Sequence, residues 1–412
     1  MKKLSLSTKI FIALVLGIIL GILINTFTPL IPVLDYFIKP IGTIFLNLMK
    51  MTIVPLILTT LITSITSVGD MTRLGFLGKK TLLYYAFTTL SAALIAMTLS
   101  TLFKPGIGVT LTNTVFEPQQ QANLMSLLVD IVPTNPFKSL MEGNTLQIIF
   151  FATFVGFGIN MVGESADNVK HLFSSFADVM YKIIEMIMKI APFAVFALIA
   201  DVVATNGWDV LLSLFRLVMV ISLASLIQCL VIYTGSVKLF ANLSPIKFIK
   251  AALPAQLFAF STASSAATLP ISMEAAQEKL GISKTVSNFV LNLGSTINMD
   301  GGAIYQAACA VFISQIYGIE LSFTQLIILL VTASLASVGA AAIPGTVIVM
   351  MTMVLSAVGL PLEAIALIAG VDRILDMITT SVNVTGDISA CVFVSACEEN
   401  EAIPESEIAD VA

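Results

Sequence analysis

One carboxylate, Asp300, stands in a stretch where no other Asp, Glu, Lys or Arg occurs between Lys284 and Glu320. An isolated charge at the centre of a bilayer costs roughly 2.5 to 3.5 kcal/mol on insertion scales, so Asp300 needs a partner. The surrounding run SNFVLNLGSTINMDGGAIYQ, 287 to 306, supplies Asn298 and Met299 on one side and Gly301 and Gly302 on the other. Glycines at that depth predict a helix that unwinds to expose carbonyl oxygens, as discontinuous helices do where they hold a cation. The plainer alternative is a structural carboxylate hydrogen-bonded to a neighbouring helix. A second polar set lies in VDRILDMITTSVNVTGDIS, starting at Val371. Asp372, Asp376, Thr380, Asn383 and Asp387 follow one another at intervals of four or three, one stripe along a helix. Arg373 is one residue off that line; it is expected to neutralise Asp372 or Asp376 or to pack toward another helix, and not to touch a ligand. The third set is STASSAATLP at 261 to 270. Asp300, Asp387, Asn298, Asn383 and unwound carbonyls are oxygen ligands suited to a hard cation such as sodium. Asp376 suits an ammonium group, and Ser264 or Ser265 with nearby backbone N–H groups suit a carboxylate.

The elements that must bring these sets together are membrane helices. The chain has 412 residues, 57% hydrophobic and only 11% charged, and its mean hydropathy is +1.00. A soluble globule would be about 25% charged. The apolar runs are long and continuous, which predicts helices and excludes a barrel of alternating strands. A net charge of -5 without basic clusters gives no sign of nucleic acid binding. Cys229, Cys309, Cys391 and Cys397 show neither a CxxC spacing nor a histidine partner, so disulfides and a metal centre of that kind are not expected. The run from Ile10 to Ile24 is read as a retained first helix.

Apolar spans are expected near residues 10 to 28, 36 to 64, 81 to 103, 145 to 163, 175 to 200 and 210 to 237. Basic residues on alternate loops (Lys2, Lys3 and Lys9; Arg73, Lys79 and Lys80; Lys238, Lys247 and Lys250) put both termini in the cytoplasm. After Lys250 the pattern changes. Residues 251 to 273 are split by Pro254 and by the Ser/Thr run, with basic or mixed charge at both ends, which predicts a re-entrant hairpin. Leu321 to Leu362 carries no charge, is twice the length of one span and is interrupted by GAAAIPG at 339 to 345. A second hairpin broken at Gly339, Pro344 and Gly345 follows; two full spans joined by a tight turn are the alternative. Two interruptions in corresponding positions are the pattern of an inverted repeat whose broken segments meet at a binding site. The tail ENEAIPESEIADVA is acidic and expected to be disordered.

NMDGG at 298 to 302, SSAATLP at 264 to 270, and NVTGD at 383 to 387 behind LDM at 375 to 377 resemble the motifs of the glutamate and neutral amino acid transporter family. That family includes the excitatory amino acid transporters and the bacterial sodium:dicarboxylate symporters, and the resemblance covers essentially the whole chain. It implies an all-α polytopic fold of eight transmembrane helices and two re-entrant hairpins, a homotrimer in the plasma or inner membrane, and elevator-type alternating access. Residues 1–240 would be mainly scaffold, with the third and sixth helices contributing to transport. Residues 244–396 would form the transport domain: hairpin 244–280, helix 284–318, hairpin 321–360 and helix 362–396, followed by the tail 397–412. The resemblance also implies up to three sodium sites and no organic cofactor. One is formed by Gly294, Asn298, Asn383 and Asp387. Another joins Asp300 with Asn298, Tyr85, Thr88 and Thr89, and a third Thr296, Met299 and the backbone around Ser337, Val338 and Ala340. Asp376 would bind the substrate amino group. Thr379, Thr380, Asn383, Ser264, Ser265, Thr268, Ala340, Ile343 and Gly345 would complete the substrate site.

Departures from the family pattern bear on specificity. Thr379 stands where acidic amino acid transporters carry an arginine, and Ala263 and Met377 where a second arginine is found. A substrate side-chain carboxylate would then be buried without its cation, at a cost of several kcal/mol. Small neutral amino acids (alanine, serine, threonine, cysteine) coupled to sodium are therefore expected, by symport or exchange. The alternatives are a sodium- or proton-coupled aspartate, glutamate or dicarboxylate symporter and a proton-coupled neutral exchanger. Gln306, where proton-coupled animal relatives have a glutamate, speaks against that proton route. A channel would need rings of like residues along a pore. An enzyme would need a base beside a serine, whereas the sole histidine, His171, sits in an expected loop.

Overall fold

The computed structural model describes residues 6–27, 31–67, 71–108, 129, 131–338 and 344–401, and every regular element among them is helical. Helix α1 is Leu6–Thr26. A π-helical turn at Leu34–Ile38 leads into α2, Lys39–Ser67. Then come α3, Met71–Phe103; α4, Thr145–Val162; α5, Asp167–Met188; and α6, Ala191–Asn206. Helix α7, Trp208–Ile227, runs through a π-helical turn, Gln228–Tyr233, into Thr234–Ala241. Six stretches among the described residues are long and apolar enough to cross a membrane.

Two expected spans differ in detail. The third begins at Met71 and not at 81, because a helix carries Arg73, Lys79 and Lys80 in its first turns where hydropathy sees only charge. The span expected at 175 to 200 is two helices, α5 and α6, with Pro192 in the first turn of the second. Proline fits there because its missing N–H belongs to a donor that has no partner in a first turn.

The C-terminal part is built of interrupted helices. Helices α8, Pro245–Thr262, and α9, Ser265–Glu274, form the first hairpin. Ala263 breaks it at φ 52°, and the Ser264 side chain then caps α9 by accepting from the Ala267 N–H at 3.2 Å. Helix α10, Lys284–Ile297, stops at Asn298, and α11, Asp300–Ile316, restarts two residues later. The second hairpin has arms α12, Phe323–Val338, and α13, Thr346–Val358, the latter capped by Gly345 at φ 83°. Its tip residues Gly339, Ala340 and Ile343, like the acidic tail from 402 onward, lie outside the described residues. Helix α14 is Asp372–Glu401.

Helices α10 and α11 lie at the centre, against α14 and α3, with α11 also touching α7 and α12; every residue of α11 except Gln315 is buried. Helices α1, α2, α4, α5 and α6 pack mainly among themselves, and α1 runs along α6. That contact depends on small residues at Gly17 and Gly21, since a Cβ at Gly21 would lie 2.6 Å from the Val203 Cβ and 2.9 Å from the Ala200 carbonyl oxygen. Close backbone approach through a small-xxx-small pair is how apolar helices associate in the membrane. Gly21→Leu is expected to force α1 off α6 and to destabilise the protein by roughly 1 to 3 kcal/mol. The check is thermal unfolding in detergent; an unchanged melting temperature would contradict this packing.

Candidate functional site

The break between α10 and α11 leaves only Asn298 and Met299 outside helical geometry. The glycines are not the unwound residues, contrary to expectation. Gly301 and Gly302 lie in the first turn of α11, and a Cβ on Gly301 would collide with the Thr379 carbonyl oxygen. Glycine is there so that α11 can touch α14. Side chains of α14 then satisfy the freed backbone: Asn383 Oδ1 accepts from the Gly301 N–H at 2.7 Å. Asn298 Nδ2 donates to Asp387 Oδ1 at 2.9 Å and to the Asn383 carbonyl at 3.3 Å.

Gly294, Asn298, Asn383 and Asp387 are thus brought together; a Cβ on Gly294 would strike both Asp387 Oδ1 and the Tyr85 hydroxyl. Asp300, fully buried, opens α11, where the positive end of the helix dipole favours a carboxylate. Thr89 donates to its Oδ1 at 2.6 Å. Thr88 and Tyr85 are buried nearby on α3, with hydroxyls turned to the Tyr85 and Val290 carbonyls. Two partners of Asp300 were not foreseen. Tyr233 donates to Oδ2 at 2.6 Å, and Gln228 Nε2 reaches Oδ2 at 3.5 Å and the Thr88 carbonyl at 3.0 Å. Both come from the π-helical turn after α7. Gln228 is the one amide between Asp209 and Asn242, a polar signal in an apolar span.

Asn298 Oδ1 and Gln228 Oε1 are buried and accept no hydrogen bond. Buried acceptor oxygens without donors, beside the carboxylates of Asp300 and Asp387, are the donor set a hard cation requires. Of the third expected group, Met299 and Ser337 both face Gly302, each 3.6 Å from where its Cβ would lie, and Met299 Sδ is 3.2 Å from Asn383 Nδ2. Thr296 and Ser337 spend their hydroxyls on the Leu293 and Ser334 carbonyls. Val338 ends α12, and Ala340 lies outside the described residues.

About two turns back along α14, Asp376 Oδ2 accepts from the Gly345 N–H at 3.1 Å, so the second hairpin meets this carboxylate. The Thr380 hydroxyl lies 3.5 Å from Asp376 Oδ1 and 2.7 Å from its carbonyl. Thr379 donates to the Leu375 carbonyl in its own helix at 2.9 Å. Ser265 and Thr268 are buried on α9, which packs on α14, and Thr268 donates to the Ser264 carbonyl at 2.8 Å. Asp372 accepts from Tyr305 at 2.9 Å.

Arg373 lies both beside Asp376 and against the first hairpin, the two placements expected for it. Its side chain is 7% exposed, with Nη2 donating to the Thr262 carbonyl at 3.0 Å and Nη1 at 3.9 Å from Asp376 Oδ2. The long side chain bends from its own face of α14 to the tip of the first hairpin.

Residues 6–397 match the sodium:dicarboxylate symporter family over nearly the entire chain. The chain belongs to that family. It is 38% identical over 409 residues to the proton/sodium-glutamate symport protein of Bacillus caldotenax, covering 97% of this chain and 96% of the relative. It is 37% identical over 410 residues to the proton/glutamate-aspartate symporter of Escherichia coli strain K12, covering 96% and 93%. With the C4-dicarboxylate transport protein of Edwardsiella ictaluri it shares 31% over 408 residues, covering 96% and 94%. This is a membrane transporter and not an enzyme. The neutral amino acid subtype expected from Thr379 is not what these relatives are named for. The Bacillus caldotenax relative is named for both protons and sodium, and the Escherichia coli relative for protons.

Asp387→Asn removes the charge between Asn298 and Gly294. It is expected to shift the sodium concentration for half-maximal thermal stabilisation upward by about tenfold, or about 1.4 kcal/mol. A sodium titration of the melting temperature checks this; an unchanged midpoint would remove Asp387 from the cation site.

Proposed function

We propose that this protein is a cation-coupled symporter of small acidic amino acids or C4-dicarboxylates. The observation that carries this reading is Arg373, whose buried guanidinium lies beside Asp376 and the tip of the first hairpin. A substrate ammonium group takes over Asp376, and the guanidinium turns to the substrate's second carboxylate, in the role that position 379 cannot fill as threonine. Guanidinium to carboxylate is the strongest common pairing for such a group. The relatives' names support the same substrate class. Neutral amino acid transport is the second reading, favoured by Thr379 and by Ala263 and Met377 at the positions of the family's second arginine.

Sodium occupies the oxygen clusters at Asp300 and at Asp387, with a third ion near Met299 and Ser337. The first two ions each neutralise a buried carboxylate, and together the cations join α11 to its neighbours, so cation binding builds the pocket that the substrate enters. Ser264, Ser265 and Thr268 on one hairpin and Gly345 on the other enclose the substrate, with Thr380 and Asn383 hydrogen-bonded to it. Residues 244–396, with α3 and the sixth span, move as the transport domain against a scaffold drawn from 1–240. The assembly is a homotrimer in the cell membrane with both termini in the cytoplasm, working by an elevator motion.

The test is uptake of labelled L-aspartate, L-glutamate, succinate and L-serine into proteoliposomes under separate sodium and proton gradients. Aspartate, glutamate or succinate uptake is expected under a cation gradient. Arg373→Gln should weaken that uptake by roughly thirtyfold or more, because truncating a buried hydrogen-bonded charge costs about 2 to 5 kcal/mol. Serine uptake without transport of the three anions, insensitive to Arg373→Gln, would establish the neutral reading instead.

A further inference from the structure

Helix α3 carries two adjacent tyrosines, of which Tyr85 belongs to the site described above and Tyr84 does not. Tyr84 is buried, its ring stacked on Phe393 of α14 with centroids 4.7 Å apart, and Phe393 in turn meets Phe240 edge-on. Phenylalanine would serve that stack equally well, and a hydroxyl taken out of water costs free energy unless it is hydrogen-bonded. The Tyr84 hydroxyl lies 2.6 Å from Ser236 Oγ, on the helical segment that follows the π-helical turn, and 2.9 Å from Ser389 Oγ on α14. One hydroxyl therefore bonds two other elements to α3. Neither serine depends on it for a partner, since the Ser236 hydroxyl donates to the Tyr233 carbonyl and the Ser389 hydroxyl to the Gly386 carbonyl, both at 2.9 Å.

Each of the three elements carries part of the oxygen clusters. Tyr85, Thr88 and Thr89 follow Tyr84 directly on α3. Tyr233, which donates to Asp300, stands three residues before Ser236, and Asp387 stands two residues before Ser389.

We propose that Tyr84 is a positioning residue for the cation sites: through Ser236 and Ser389 its hydroxyl fixes the π-helical turn and α14 against α3, and so sets the spacing of the oxygens around Asp300 and Asp387. A metal site works only while its ligands are held within about 0.5 Å of the productive geometry, and groups that act through the ligands contribute to affinity. An aromatic stack accepts a range of offsets, so the ring of Tyr84 alone does not fix the register of α14, whereas directed bonds to two helices do. The proposal rests on the sodium reading of the two clusters given above.

The experiment is a sodium titration of the melting temperature of the full chain in detergent, without substrate and at constant ionic strength, for the wild type, Tyr84→Phe, Ser389→Ala, their double variant and Asp387→Asn. Tyr84→Phe keeps the stack and leaves each serine its carbonyl partner, so the melting temperature without sodium is expected to change little. The sodium concentration for half-maximal stabilisation is expected to rise about fivefold, the net worth of one hydrogen bond. Ser389→Ala is expected to raise it as well, and the double variant no further than Tyr84→Phe alone, because both substitutions remove the same contact. A fall in melting temperature that is equal at every sodium concentration, with an unchanged midpoint, would overturn the proposal and leave the hydroxyl a packing role only. Fully additive shifts in the double variant would overturn the link through Ser389. Ser389→Ala tests that link with the tyrosine intact, so its midpoint decides the matter even where Tyr84→Phe fails to fold. An unchanged midpoint in Asp387→Asn would remove the sodium reading and the proposal with it, whereas a shift in Asp387→Asn beside an unchanged Tyr84→Phe would remove the role of Tyr84 alone.

Discussion

Carboxylates that are taken out of water must be hydrogen-bonded or neutralised, and in this protein two of them, Asp300 and Asp387, converge on one interrupted helix, while Asp376, further along α14, meets the second hairpin. The interruption is two residues long. Asn298 and Met299 leave the helix; on α14, Asn383 Oδ1 accepts from the Gly301 backbone N–H and Asp387 Oδ1 from the Asn298 side-chain amide. Removal of α14 would leave the break between α10 and α11 unsatisfied, and removal of the break would leave the α14 stripe facing hydrocarbon. Each accounts for the other, which is why both are buried so completely.

From this pairing the rest of the architecture follows. Asp300 draws in Thr89 from α3 and Tyr233 from beyond α7, so elements distant in sequence close around α11. The π-helical turn at Gln228–Tyr233 puts both of its polar side chains on that carboxylate. The second hairpin meets α14 at Asp376 through the Gly345 backbone N–H.

Much of this was legible in the sequence. Intervals of four and three put Asp372, Asp376, Asn383 and Asp387 on one face, and in the structure their polar partners, Tyr305, Gly345, Gly301 and Asn298, lie on α11, in the break before it or on the second hairpin. The first hairpin's break at the Ser/Thr run was equally clear, because serine is a cap and interrupts hydrophobic periodicity. Other features were hidden for physical reasons. Gly301 and Gly302 read as unwinding residues because glycine serves both flexible backbone and close approach, and composition does not say which. Tyr233 and Gln228 sit in an apolar span whose rotation is set only by packing. Arg373 lies off the polar stripe by helical angle, yet its long side chain reaches across to the hairpin. A face argument applies to the Cβ and not to a guanidinium several bonds beyond it.

The central claim is that cations at Asp300 and Asp387 assemble the substrate pocket between the hairpins. Calorimetric titration of L-aspartate into the purified protein, repeated over a series of sodium concentrations at fixed pH and ionic strength, tests it most directly. The account predicts that the substrate dissociation constant falls steeply, more than in proportion, as sodium rises. A dissociation constant independent of sodium would contradict it and would leave these carboxylates a structural role only.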